Sequence, residues 1–325
     1  MLVYLIRRLG QSLLVVAVMA TLVFLAVYAV GDPVDILANP DADQQERAAI
    51  AQRLGLDRPL VEQFGVFILN ALRGDLGRSF VYNAPAVEVI LQRLPATLEL
   101  ALAGLLFSLL IGVPLGVLAG LKPESWFGRT IMSGSILGFS LPNFWIGLML
   151  ILFFAVEWRL LPASGRGTTT EVFGVPLALF SWEGLRHLFL PALTLALYKS
   201  ALVIRIAQAG TREVMMQDYI RFARAKGLSR QRIVGVHVLK NIMIPVVTVL
   251  GLELGSMIAF AVVTETVFAY PGMGKLLIDS INRLDRPIIV AYLMMTVLIF
   301  VVINLVVDLL YAAIDPRVRL SEAKG

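Results

Sequence analysis

Few side chains in this 325-residue sequence could do chemistry, and the most telling are ionisable groups inside long apolar runs: Lys199, Arg205, Glu253 and Asp308. A charge at the bilayer centre costs about 2.5–3.5 kcal/mol on insertion scales. Glu253 sits near the middle of its run and has two readings. It lines a polar pathway and attracts an ammonium or another cation, or it is paired or protonated within a helix bundle. Lys199 is a weaker candidate for the same work. Arg205 is placed to snorkel toward the nearer aqueous face, and Asn304 with Asp308, at i,i+4, suits hydrogen bonds between helices. Bond-making chemistry lacks its groups. With no cysteine and only His187 and His237, disulfides, cysteine–zinc sites, thiol catalysis and hydrolytic triads are excluded. Neither H-E-x-x-H nor G-x-x-x-x-G-K-[ST] occurs, and the nearest fragment, Gly274-Lys275, is followed by Leu276 instead of a hydroxyl residue. The expectation is a binding and moving protein with no cofactor, no metal and no nucleic-acid partner, driven from outside itself.

The second feature is polar chain set between apolar runs, over 210–241. Thr211–Lys226 reads as one amphipathic helix with Met215, Met216, Tyr219, Ile220 and Ala223 along a stripe. Gly227 suits the left-handed residue that ends a helix. Ser229 suits the cap of a second helix, from Arg230 to about Asn241, with Pro245 near a bend. Arg212, Arg221, Arg224, Lys226, Arg230 and Arg232 make the surface basic. They anchor the chain to anionic lipid, or the elbow is a knob whose apolar stripe fits a groove in a partner. Both readings stand on charge alone.

The composition, 58% hydrophobic and 16% charged with mean hydropathy +0.82, places the chain among polytopic membrane proteins. Six runs are long enough to cross about 30 Å of hydrocarbon: Leu9–Val30, Leu100–Leu121, Thr130–Val156, Leu188–Ala209, Ile242–Val263 and Ile288–Ile314. The first is an uncleaved span, too long for a signal sequence and without an A-x-A site. With both termini in the cytoplasm, the inner segments hold 14 Lys+Arg against 5 Asp+Glu, and the longer outer segments 12 against 16. That asymmetry sets the orientation. The domains are then 1–30 (first span), 31–99 (outer loop), 100–314 (five-helix core with the elbow 210–241) and 315–325 (inner tail). In 31–99, Asp41–Arg53 reads as a short helix and Phe64–Leu72 as an interfacial or docked one. This loop docks on the membrane helices or on an outer partner, or is structured but idle. Gly112, Gly116 and Gly120 give the second span a face for close packing. Pro271–Gly274 is a re-entrant loop or an ordinary turn.

Several stretches, in this order and spacing, resemble the permease subunits of ABC importers for dipeptides, oligopeptides and related solutes, in particular the subunit with a long first periplasmic loop. They are Arg93-Leu-Pro-Ala-Thr-Leu-Glu-Leu-Ala, Ser140-Leu-Pro-Asn-Phe-Trp-Ile-Gly, Leu161-Pro-Ala-Ser-Gly, His187-Leu-Phe-Leu-Pro-Ala-Leu-Thr, Ala223-Arg-Ala-Lys-Gly-Leu, Thr264-Glu-Thr-Val-Phe-Ala-Tyr-Pro-Gly-Met-Gly and Asn304-Leu-Val-Val-Asp-Leu-Leu-Tyr. The resemblance implies an all-α, six-helix type I permease fold in a bacterial or archaeal cytoplasmic membrane. It also implies a second homologous permease, two cytoplasmic ATP-binding subunits and a substrate-binding protein as partners. On it, Tyr219, Arg221, Ala223, Arg224, Ala225, Lys226, Gly227, Leu228 and Ser229 couple to an ATPase, with His237, Leu239 and Asn241 matching the later element of that loop. Ser140, Asn143, Glu253 and Thr264 belong to the translocation pathway. Arg221 stands where the general pattern has glutamate, and Lys240 where it has proline. A permease for a nickel complex, glutathione or a sugar is the alternative within that family, and a gradient-driven transporter or channel the one from another class, but no clear inverted repeat supports the latter.

Overall fold

Leu141 precedes Pro142, and that dipeptide reshapes the third apolar run. Proline disfavours helical geometry in the residue before it. In the computed structural model Leu141 is extended, at φ −84° and ψ 137°. The model describes residues 2–29, Val34 and 43–314, with side-chain surroundings for 6–26, 34, 43–52 and 55–307. The 315–325 tail and the Asn304–Asp308 pairing lie outside that description. The run expected as one span, Thr130–Val156, is two helices bent by 104°.

The helices follow in chain order: α1 Leu2–Ala29, α2 Gln44–Leu54, α3 Leu60–Leu72, α4 Ala86–Leu121, α5 Trp126–Ser140 and α6 Asn143–Leu150, which runs on as a π-helix over Ile151–Glu157. A hairpin, β1 Thr170–Val172 and β2 Val175–Leu177, precedes α7 Trp182–Met216. Then come α8 Asp218–Ala225, α9 Arg230–Val267, α10 Met273–Asn282 and α11 Arg286–Ile314. Five of these, α1, α4, α7, α9 and α11, are long and apolar enough to span; the bent α5–α6 pair makes a sixth if it counts as one. The small hairpin, closed by Phe173 and Gly174 with φ of 52° and 78°, is a local addition to an all-α fold.

Packing of α4 on α7 organises the core. A Cβ on Gly112 would lie 2.6 Å from Val203 Cβ, one on Gly116 2.6 Å from Ala207 Cβ, and one on Gly120 2.6 Å from Thr211 Cβ. Small residues let the backbones approach closely enough for continuous van der Waals contact, which replaces the hydrophobic effect in lipid. Helix α9 meets α11 the same way, with Gly255 against Phe300 and Gly251 against Val307. Leu13 and Leu14 on α1 lie open, as suits a helix whose solvent is lipid. Its inner face packs Ala20 and Val23 on Val290 and Met294 of α11, and Phe24 meets Phe64 and Phe67 of α3 at centroid distances of 5.2 and 5.7 Å. The short apolar helix expected over Phe64–Leu72 therefore docks on the bundle and begins four residues earlier. Between α4, the α5–α6 bend and α7 lies an apolar cavity of about 410 Å³, lined by Ile111, Trp145, Met149 and Ile204 among others.

Asp285, fully buried before α11, holds the 75–85 segment in place. It accepts from the Ser79 hydroxyl and from Phe80 N and Val81 N at 3.1 and 3.3 Å. Asp285→Ala strands three donors, so stability should fall by about 3 kcal/mol, read as a lower unfolding midpoint of the purified protein in detergent.

Candidate functional site

The elbow forms because three residues interrupt two long helices. Helix α7 ends where Gln217 turns extended (ψ 146°), and α8 starts at Asp218, whose charge suits a helix N-terminus. The sequence stripe therefore does not lie on one helix: Met215 and Met216 close α7, while Tyr219, Ile220 and Ala223 belong to α8. At the far end Gly227 has φ +77°. Its N–H donates to Arg224 O at 2.9 Å, and Leu228 N to Ala223 O at 3.2 Å. These two bonds are a Schellman closure, and Leu228 adds the apolar contact that usually accompanies one. The Ser229 hydroxyl then accepts from Arg232 N at 3.4 Å and caps α9. Helix α9 opens with a π-helical stretch, Ile233–Val238, upstream of Pro245. The expected second helix, ending near Asn241, instead continues through the whole span.

Burial divides the elbow into two faces. Ile220 and Ala223 are buried with Ile233, Val238, Ile242, Val203, Ala207 and Val214, so the knob is part of the same packed body as α7 and α9. Ala223 is packed inside this body. Tyr219, Arg221, Phe222, Arg224, Ala225, Lys226 and Ser229 are exposed. Phe222 is 64% exposed, with Lys226 Nζ 4.9 Å from its ring centroid. Only Asp218, 3.5 Å from Arg221, dilutes the positive charge of α8. The exposed face of the elbow is thus an aromatic ring set among basic side chains.

The four pathway candidates do not converge on one point. Asn143 Nδ2 donates to Thr264 Oγ1 at 3.0 Å, joining the start of α6 to α9, and Thr264 is buried. Ser140 is exposed at the bend and bonds its own helix at Ile136 O. Glu253 lies three turns along α9 from Thr264, in an ion pair with Lys199 of α7. Ser256 Oγ sits 2.7 Å from Glu253 Oε2 and 3.0 Å from Lys199 Nζ. Phe139 stacks on Tyr198 at 5.2 Å, with the Arg205 guanidinium 5.6 Å from the Phe139 centroid.

Two carboxylates that bind the opposite end together stand outside the sequence-derived set. Glu265 is fully buried, accepting from Thr97 Oγ1 at 2.6 Å and Lys275 N at 2.9 Å, while Met273 N donates to Thr97 Oγ1 at 2.8 Å. This clasp holds the Pro271–Gly274 turn on α4. Gly272 is required there for space: a Cβ would fall 2.2 Å from Glu265 Oε1. Glu99 accepts from Arg166 Nε at 3.2 Å and from Leu179 N at 3.2 Å, and Arg166 Nη2 also donates to Pro176 O at 2.7 Å. Nearby, burial and then the Glu99 charge push the Tyr270 phenol up, so it stays neutral. The signal for these groups was a lone Glu beside otherwise apolar chain.

Residues 112–320 match the family described as "Binding-protein-dependent transport system inner membrane component", and residues 1–101 match its N-terminal companion, "Binding-prot-dependent transport system membrane comp, N-term". The chain belongs to this family. The permease and the "Dipeptide transport system permease protein DppB" of Escherichia coli (strain K12) are 38% identical over 336 residues, 98% of this chain and 99% of that one. The "Di/tripeptide transport system permease protein DppB" of Pseudomonas aeruginosa is 39% identical over 333 residues, and the "Glutathione transport system permease protein GsiC" of Escherichia coli (strain K12) 39% over 320, with the same coverage. A chain of the inward-facing MetNI methionine ABC transporter superposes with TM-score 0.55 at 16% identity, over 70% of this permease and 96% of that chain. The fold is thus that of an ABC-importer permease, in an inner-membrane, multi-pass protein. The seam between the two matches falls inside α4, so one continuous helix joins the N-terminal segment to the core. The elbow lies wholly in the second match.

Proposed function

We propose that this permease is one of two membrane subunits of an ATP-driven importer of short peptides. The observation that carries the reading is the elbow: a basic, aromatic-tipped knob fused by a buried core to two spanning helices, in a chain similar along its length to dipeptide permeases. The elbow end faces the cytoplasm, and two ATP-binding subunits each grip one such knob. A complementary ATPase surface is acidic, since Arg221 replaces the glutamate of the general pattern. ATP-driven closure moves the knob and, through Ile220 and Ala223, moves α7 and α9, so the pathway between this chain and a second permease opens outward. The ATPases must bind one permease state better than the other for that shift to occur. Segment 31–99, whose helix α3 packs on α1 and whose residues 79–81 are held by Asp285, meets the substrate-binding protein. Glu253, Ser140, Asn143 and Thr264 belong to the pathway, Thr264 by positioning Asn143. A glutathione-type cargo is the second reading, favoured by the equal identity to GsiC.

The test is reconstitution with a second permease, two ATPases and a binding protein. Dipeptide uptake that requires ATP and every subunit is the expected result. Uptake by this chain alone, without ATP, would overturn the reading.

A further inference from the structure

Ionisable groups on and beside the spanning helices are held in two different ways. Glu265 and the Glu99–Arg166 pair are sealed. Glu265 is fully buried, the Glu99 and Arg166 side chains are 3% and 11% exposed, and each carboxylate also takes a backbone N–H. That is how a protein satisfies a buried carboxyl group in a low-dielectric setting. Lys199 and Glu253 are different. Their side chains are 14% and 28% exposed, their shared side-chain neighbour is Ser256, and no backbone donor to Glu253 is found among the described residues. Lys199 is also the midpoint of the 35-residue α7, about 26 Å of helix from either end. Both residues lie near the middle of their apolar runs, Leu188–Ala209 and Ile242–Val263, so the pair sits at mid-depth, part-exposed and bonded to groups that can let go.

We infer that Lys199, Glu253 and Ser256 form an exchange site for zwitterions. The inference rests on the permease reading and adds to it the chemical class of cargo. With the pathway empty, the two charges neutralise each other. When a peptide passes, its α-ammonium takes the Glu253 carboxylate and its α-carboxylate takes the Lys199 ammonium, with the Ser256 hydroxyl bridging as the partners change. Net charge at the site is zero before, during and after passage. A cargo with an unbalanced charge would leave a lone charge at mid-membrane, where it is most costly. The site thus favours net-neutral peptides, and disfavours net anions such as glutathione and free cations. The pair also bridges α7 and α9, the two helices joined by the elbow, so their movement opens or closes the grip.

The experiment measures ATP-driven uptake of radiolabelled Ala-Ala (net neutral), Lys-Ala (net cationic) and Glu-Ala (net anionic) by proteoliposomes holding the complete transporter. Wild type should favour Ala-Ala in kcat/KM. Lys199→Met leaves an unbalanced negative charge and should shift the preference toward Lys-Ala by about tenfold; Glu253→Gln should shift it toward Glu-Ala by about as much. A merely structural pair would lower uptake of all three cargoes together, and unchanged ratios overturn the inference while leaving the permease reading intact. Absence of ATP-driven uptake in wild type overturns both. If a single variant fails to assemble, the neutral double variant Lys199→Met/Glu253→Gln decides. It should co-purify with its partners yet lose about tenfold or more of its Ala-Ala uptake, and undiminished uptake contradicts the site.

Discussion

Gly227→Pro is expected to lower ATP-driven uptake by about tenfold or more while the chain still inserts and assembles. Proline holds φ near −65°, whereas Gly227 stands at +77°. Proline also lacks the N–H that donates to Arg224 O at 2.9 Å. Both losses fall on the closure that sets the angle between α8 and α9. The knob would remain on the chain but no longer as a fixed continuation of the spans. Gly227→Ala separates the two effects. There is open space around a Cβ here, so alanine adds only the left-handed strain, about 1–2 kcal/mol, and should give a milder defect. Gly235→Ala, also with open space but without positive φ, is the control and should transport normally. The readouts are uptake and substrate-stimulated ATPase activity in the same vesicles. Wild-type values of both in Gly227→Pro would count against a mechanical role for the elbow.

The second large effect is on stability. Gly116→Leu places a branched side chain where even a Cβ lies 2.6 Å from both Ala207 Cβ and Ile204 O. The backbone oxygen cannot move aside without bending α7. Overpacking of well-filled cores costs about 1–3 kcal/mol, and with backbone on one side the upper end or beyond is expected. Thermal unfolding of the purified permease should fall by several degrees, with lower recovery from the membrane. Gly134→Ala, where a Cβ meets nothing within 4 Å, should leave both unchanged. Equal stability for Gly116→Leu would mean that α4 and α7 do not pack through their glycine face.

Much of this was legible in the sequence because hydrocarbon thickness imposes run length, and run length can be counted. The left-handed Gly227, the Ser229 cap and the glycine face of α4 follow from local geometry, and the structure has all three. The bend at Leu141 was readable too, since the Leu–Pro step disfavours helix, but a continuous apolar run masked it. The break at Gln217 carries neither glycine nor proline. Tertiary packing of Ile220 and Ala223 on the bundle decides it, and helical periodicity alone joined Met215 and Met216 to the wrong helix. Glu99 and Glu265 escape such a reading for another reason. The apolar runs Leu100–Leu121 and Ile242–Val263 stop beside these carboxylates. The helices run on through them because Thr97, Arg166 and backbone N–H groups from distant segments bond their carboxyl groups, and such partners are invisible to a window moving along the chain. The Lys199–Glu253 contact joins residues 54 apart, and the sequence could name both but not their meeting.

The central claim is that an ATP-hydrolysing neighbour acts on the exposed face of the elbow. The chain has no cysteine, so Phe222→Cys carries a single reactive thiol. Crosslinking from that thiol in vesicles containing the assembled transporter is the most direct measurement. The account predicts an adduct with an ATP-binding subunit and loss of ATP-driven uptake once it forms. An elbow thiol that reacts with no protein neighbour, or full uptake after crosslinking, would contradict it.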